Sequence, residues 1–148
     1  MKTLGLILGF VLVGFASIAQ NQDLISNNEG QAYTGEYYSY FSNGNPKIEA
    51  NVIEGKLDGE YKIYFESGIV KEIRQYNNGV FTGKWATFNK SGNKIGEANY
   101  LNGQKNGKWI VWDDKGKVRC EMFYVDGNKT GIWKMWDENG NLISEKKY

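Results

Sequence analysis

The chain has 148 residues, 18 basic and 17 acidic side chains, no histidine and a single cysteine. Without histidine there is no Ser-His-Asp or Cys-His catalysis and no His-containing zinc site, and Cys120 alone supplies neither an intramolecular disulfide nor a metal site. A near-neutral chain with no basic run offers no electrostatic footprint for nucleic acid or an anionic membrane.

The N-terminus reads as a targeting segment. Lys2 supplies a positive start, Leu4 to Phe15 form a short apolar stretch interrupted by Gly5, Gly9 and Gly14, and Ser17-Ile18-Ala19 places small residues where a signal peptidase reads. This predicts a secretory signal over residues 1–19, cleaved before Gln20, and an exported chain that is periplasmic or secreted. The apolar run falls short of the roughly 18–20 residues of a membrane span, so no stable membrane insertion is expected after cleavage. Residues 20–34 read as a polar lead-in, expected to be mobile.

From Gly35 onward the glycines fall on a 24-residue grid. Gly35, Gly59, Gly83, Gly107 and Gly131 open five units: 35–58, 59–82, 83–106, 107–130 and 131–148. Gly44, Gly68, Gly92, Gly116 and Gly140 follow nine residues later, and Gly55, Gly79, Gly103 and Gly127 close the first four units. Tyr37, Tyr61, Trp85, Trp109 and Trp133 keep the same beat, as do Tyr40, Tyr64, Phe88, Trp112 and Trp136 three residues on. Tyr76, Tyr100, Tyr124 and Tyr148, with Val52 in the first unit, mark a third column. A fixed period of this length means a repeat array in which neighbouring units bury one another's apolar faces.

Each unit carries two turn signals. The first is a polar pair followed by glycine, as in Asp114-Lys115-Gly116, which suits a three-residue hairpin loop closing on a glycine bulge. The second runs from the closing glycine to the next opening one, as in Gly103 to Gly107. Between them lie segments rich in Tyr, Trp, Phe, Ile and Val, which fit strands of about six to eight residues. Glycine recurs too often for helices. The expected fold is therefore all-β: an elongated antiparallel meander of five β-hairpins. The glycine bulge would pair Tyr64 with Val70, Trp112 with Val118 and Trp136 with Leu142. The first two aromatic columns stand an odd number of residues apart. Either the two sheet faces each carry an aromatic row, or a bulge brings both rows to one face.

The pattern Gly-x-Trp/Tyr-x-x-aromatic, then glycine, then Tyr-x-Asn-Gly resembles the MORN repeat, in the variant form of bacterial YwqK-family antitoxin components. Gly107-Lys108-Trp109, Trp112, Gly116 and Tyr124-Val125-Asp126-Gly127 show it best, and the likeness spans residues 35–148. The resemblance implies an elongated β-meander with interaction roles and no catalytic residues to carry over. An antitoxin acting on a cytosolic toxin should not carry an export signal, and here this chain departs from that label.

Other chemistry is sparse. Gly79-Val80-Phe81-Thr82-Gly83-Lys84 and Gly103 to Lys108 look like phosphate loops but are one residue short and recur with the repeat. Asp113-Asp114 and Asp137-Glu138 start turns, and their glycines arrive too early for a calcium loop. Glu49, Glu97, Glu121 and Glu145 share a column that reads as a solvated face. No catalytic, cofactor-binding or metal residue is expected. The grid aromatics are explained by stacking between hairpins. Of the remainder, Tyr33 and Phe81 share a column with Leu57 and read as a local apolar staple. Tyr38, Phe41 and Phe65 crowd the first two units, where later units hold Asn89, Asp113 and Asp137. Surplus aromatic area marks them as candidates for a protein-partner surface or an N-terminal cap. The expected function is an exported, non-enzymatic module for protein–protein interaction. The alternatives are an antitoxin-like component and an aromatic-cage binder of carbohydrate or cell-wall ligands.

Overall fold

A computed structural model describes residues 24–148. The signal segment expected over 1–19 lies outside the described residues. The described chain forms one open antiparallel sheet in which strands follow one another in sequence order. Its strands are β1 (Gly35–Tyr40), β2 (Pro46–Ile53), β3 (Lys56–Tyr64), β4 (Val70–Asn77), β5 (Val80–Phe88) and β6 (Lys94–Leu101). After these come β7 (Gln104–Lys105), β8 (Gly107–Trp112), β9 (Val118–Val125), β10 (Asn128–Trp136) and β11 (Leu142–Lys147). β7 and β8 both pair with β6 and together occupy the place that a single long strand takes in the other inner units.

The glycine-bulge turns form as the spacing predicts. In the fourth unit Gly116 N donates to Asp113 O at 3.0 Å and Asp113 N donates to Lys117 O at 2.9 Å, with Gly116 at φ 78°. Tyr64 then faces Val70, Trp112 faces Val118 and Trp136 faces Leu142, each beside a register shift.

The second turn signal resolves differently from its expected loop. Glu54-Gly55, Asn78-Gly79, Asn102-Gly103 and Asp126-Gly127 all have both residues at positive φ. Two successive left-handed residues make a type I′ turn, whose twist matches that of the flanking strands, so only two residues are spent on the connection. Strands β3, β5 and β10 consequently reach nine residues. Each contains the opening glycine as an irregularity. Ala50 pairs with Tyr61 and Val52 with Leu57, so Asp58 to Glu60 stand against Asn51 alone. Gly59 sits there at φ 87°, a region most side chains avoid.

Alternation settles the question of the two aromatic columns. Trp85 pairs with Ala98 and Trp109 with Met122 on one face, which carries the core. Phe88 lines a groove on the other face with Ala86 and Glu97, residues of opposite parity to Trp85 and Ala98. Both faces therefore carry aromatics, and they do different work.

On the core face the rings of Tyr61, Tyr76, Trp85, Tyr100, Trp109, Tyr124, Trp133 and Tyr148 form one continuous ladder. Its successive centroids are 5.8, 6.2, 4.4, 5.3, 5.2, 5.1 and 4.7 Å apart. Tilted and edge-on pairs at these separations are the favoured geometries for aromatic side chains. The indole nitrogens are satisfied by backbone: Trp109 Nε1 donates to Asn99 O at 3.1 Å and Trp133 Nε1 to Phe123 O at 3.0 Å.

The described part of the lead-in is paired with the first unit. From Leu24 on it hydrogen-bonds to the first unit: Ile25 N donates to Gly55 O at 2.9 Å, Tyr33 N donates to Ile25 O at 2.9 Å, and Ser26 bridges Ala32. Ile25 and Tyr33 pack on the core, and burying those two side chains is what ties the segment down.

Candidate functional site

The staple column covers the ladder. Leu57 is 5 % exposed, and the Phe81 ring lies 4.7 Å from Trp85, 5.4 Å from Tyr76 and 5.6 Å from Tyr100. Two further members of the column are lysines, which sequence reasoning did not assign to it. Lys105 Nζ lies 4.8 Å from the Trp109 centroid and 5.1 Å from that of Tyr124, and Lys129 Nζ lies 4.7 and 5.0 Å from Trp133 and Tyr148. An ammonium over two ring faces is a cation–π contact that also buries the aliphatic stem. Burial, with help from the Lys129 charge, pushes the Lys105 amine below the usual lysine value. The signal was present in the grid: Leu57, Phe81, Lys105 and Lys129 are 24 residues apart. The ring faces between successive rungs are thus filled by the chain's own side chains.

The opposite face is a field of paired charges. Glu97 takes Lys94 at 2.8 Å and Lys84 at 3.2 Å, Glu121 takes Lys108 at 2.6 Å, and Glu145 takes Lys134 at 3.6 Å. Glu49 accepts the Tyr64 hydroxyl at 2.7 Å. Three members of the glutamate column are thus paired with lysines, and Glu49 is held by a tyrosine hydroxyl. The Lys94 hydrogen bond holds the Glu97 carboxyl below its usual range, which is the opposite of what a general acid needs. Of the second aromatic column, Tyr64, Phe88, Trp112 and Trp136 are half-buried, with Lys94 over the Trp112 ring at 4.9 Å, whereas Tyr40 is 62 % exposed.

Polar side chains brace both kinds of turn. Asp113 Oδ1 accepts the N–H groups of Lys115 and Lys117 at 2.9 and 3.0 Å, and Asp137 Oδ1 accepts those of Asn139 and Asn141 at 2.9 and 2.8 Å. Asn89 does the same for Ser91 and Asn93. The Lys117 and Lys115 amides lower the Asp113 carboxyl, and Asn141 lowers that of Asp137. These carboxylates serve their own turns. In the residue before each opening glycine, Thr34 accepts Glu54 N at 2.9 Å and Asp58 accepts Asn78 N at 2.8 Å, a brace the sequence reading missed.

Phe41 and Phe65 stand in the column of Asn89, Asp113 and Asp137, so the first two turns lack a brace from that position, and in the first turn Asn43 Oδ1 accepts the Asn45 N–H at 3.0 Å. Each ring instead faces a lysine, Lys47 at 5.9 Å from Phe41 and Lys71 at 6.0 Å from Phe65. In the fourth unit the same pair of positions holds Asp113 and Arg119, whose charged atoms lie 3.7 Å apart. Phe41 and Phe65 therefore occupy matching places at adjacent turn tips. Tyr38 does not join them: it is three residues from Phe41, on the charged face, with its hydroxyl donating to Glu36 Oε2 at 2.8 Å. The Glu36 hydrogen bond raises its hydroxyl above the usual tyrosine value.

The first unit is also where aromatic burial fails. Tyr37, expected to stack, is 38 % exposed and Tyr38 is 47 % exposed, while the equivalent Trp85 and Trp109 are 6 % and 3 % exposed. Cys120 is half-buried on the core face within β9, and burial raises its thiol above the usual value, which disfavours the thiolate.

The MORN repeat variant family matches residues 33–54, 57–78, 105–126 and 129–148. The chain belongs to the MORN repeat variant family. The unit between these matches, 83–106, holds to the same strand order and the same bulged hairpin, with Phe88 facing Lys94. MORN repeats are non-enzymatic and commonly act as protein- or membrane-interaction modules. No curated protein matches the chain.

Proposed function

We propose that this MORN-repeat chain is an exported module that binds a protein partner, and that its first two units carry the contact surface. The observation that supports this most is the Phe41 and Phe65 substitution at the turn brace. Where units three to five use one polar side chain to hold two backbone N–H groups, the first two units place a ring there, and in the first unit Asn43 Oδ1 holds the Asn45 N–H instead. A residue that breaks a local structural rule without a local gain points to function. The exposed Tyr37, Tyr38 and Tyr40 add aromatic area at the same end.

The test is capture from native cells with tagged mature chain and two variants, Phe41→Asn with Phe65→Asp, and Tyr38→Ser. Loss of a specific partner by either variant at unchanged thermal stability supports the surface, and undiminished capture by both removes it. Export is tested by the N-terminal peptide of native protein, expected to begin at Gln20. A cytosolic chain retaining Met1 would overturn export and favour the antitoxin-like reading. The carbohydrate-cage alternative has less support, because Phe81, Lys105 and Lys129 already cover the ladder's rings.

A further inference from the structure

Every inner first strand lies between two neighbours; β1 ends the strand order. Among the described residues, only the segment around Ile25 reaches its outer side, and only at the loop end. Ile25 stands opposite Tyr33 as Val52 stands opposite Leu57 and Tyr76 opposite Phe81. Past that rung, Glu36 to Tyr40 have no strand on the side away from β2 among the described residues.

The backbone of this edge is arranged for pairing. In the fifth unit Tyr148 N donates to Gly131 O at 2.9 Å, and Gly35 with Val52 is the equivalent pair in the first. At the other end of the strand Phe41 N donates to Asn45 O at 2.8 Å. Antiparallel pairing alternates, so Gly35, Tyr37 and Ser39 turn their N–H and C=O groups to β2, while Glu36, Tyr38 and Tyr40 turn theirs outward, where the Glu36 carbonyl already accepts the Tyr33 hydroxyl at 2.7 Å.

Exposed edges are usually blunted by lysine, proline or a bulge. β1 has no lysine or proline, and its register shift at Tyr40 arises from the extra residue Lys47 on β2. By contrast, β11 carries Lys146 and Lys147. The charge around Tyr38 is also one-sided. Glu36 and Glu49 flank it, and Lys62, across from Glu49 on β3, is held by Glu60 at 2.7 Å. At the matching position of two inner units the previous strand supplies a residue of opposite charge, Glu49 facing Lys62 and Glu121 facing Lys134, whereas Ile73 faces Ala86 and Glu97 faces Ile110 in the others.

We infer that the open edge of β1 is completed by an extended basic strand of the protein partner, antiparallel to Glu36–Tyr40, with a Lys or Arg across from Tyr38 on the Glu36 and Glu49 face. This deepens the reading that the first units bind a protein. Main-chain bonds to the N–H of Glu36 and to the outward groups of Tyr38 and Tyr40 supply affinity, and the acidic face with its exposed tyrosines selects the side chains.

The array provides its own probe. A synthetic peptide of residues 94–99, which in the chain lies beside a first strand, is compared with the same peptide carrying Glu97→Lys. In an NMR titration of the mature chain, the amides of Glu36, Tyr38 and Tyr40 should gain exchange protection, while Tyr37 and Ser39, already bonded to β2, should not change. The lysine peptide should bind about tenfold more tightly than the glutamate peptide. Tyr38→Pro removes an outward N–H that β2 does not use and should abolish binding, and Tyr38→Val should preserve it. If Tyr38→Pro unfolds β1, the amide pattern in the unaltered chain still decides. Equal affinity of the two peptides, protection without alternation, or no protection at millimolar peptide would each overturn the edge. Those results leave the protein-partner reading to the capture experiment, where Phe41 and Phe65 are tested independently.

Discussion

Replacing Trp109 with alanine should be the most damaging single change among the first-column rings. Its side chain is 3 % exposed, contacts the rings of Tyr100 at 5.3 Å and Tyr124 at 5.2 Å, and lies under the Lys105 ammonium. A buried indole removes about 200 Å² from water, worth roughly 5 kcal/mol at about 25 cal/mol per Å². Measured Trp→Ala costs of about 3–5 kcal/mol agree with that scale. Losing the cation–π contact adds about 0.5–1 kcal/mol. We therefore expect a loss of about 4–5 kcal/mol. At Tyr148, which is 41 % exposed and has one ring neighbour, alanine should cost about half as much or less. Urea denaturation followed by circular dichroism reads the difference directly. With a slope of about 2 kcal/mol per molar urea, Trp109→Ala should lower the midpoint by about 2 M. Because Trp109 joins the ring of Tyr100 in the third unit to that of Tyr124 in the fourth, the variant's transition should also broaden or split. Equal midpoints for the two variants would refute the ladder as the source of stability.

Phe65→Asp places a carboxylate where Asp113 sits in the fourth unit, within reach of the Ser67 and Ile69 amides and of Lys71 in the place of Arg119. Its stability should stay within about 1 kcal/mol of the parent by thermal melt, because new turn hydrogen bonds offset the lost half-buried ring. Burial raises the hydroxyls of Tyr76, Tyr100 and Tyr124 above the ordinary value of 10.0. The folded state therefore holds protons that the unfolded chain releases. Stability should be full below pH 10 and fall as pH rises above it, and Tyr100→Phe should flatten that fall in urea midpoints taken across the alkaline range. Lys105→Ala, which uncovers Trp109 and Tyr124, should lower the midpoint more than Lys115→Ala on an exposed turn, measured by the same denaturation.

How far the sequence reached depends on the range of the interaction involved. Turn registers were legible because a polar pair and glycine fix three or four residues of backbone locally, and Trp112 facing Val118 follows from that geometry alone. The I′ turns were harder to read. Asn78-Gly79 signals one plainly, but Glu54-Gly55 adopts it by analogy with its neighbours in the stack. Ile25 was not legible as the first rung, because it lies three residues out of phase with the grid and earns its place only by docking against Tyr33 and Gly55. Among the candidate contact residues, the equivalence of Phe41 and Phe65 was visible in the period, whereas the separation of Tyr38 from them required the strand to be known as regular.

By itself the sequence determined the repeat, the all-β class, the glycine-bulge hairpins and the absence of histidine-based catalysis, since each rests on residue identity or short-range backbone geometry. The tertiary structure decided which aromatic column becomes core. That choice depends on the bend at each opening glycine, which lays Leu57, Phe81, Lys105 and Lys129 over one face and leaves the other to paired charges. It also decided that, among the described residues, β1 has a neighbouring strand on one side only. A strand's edge is defined by what packs beside it, and no local pattern encodes a missing neighbour.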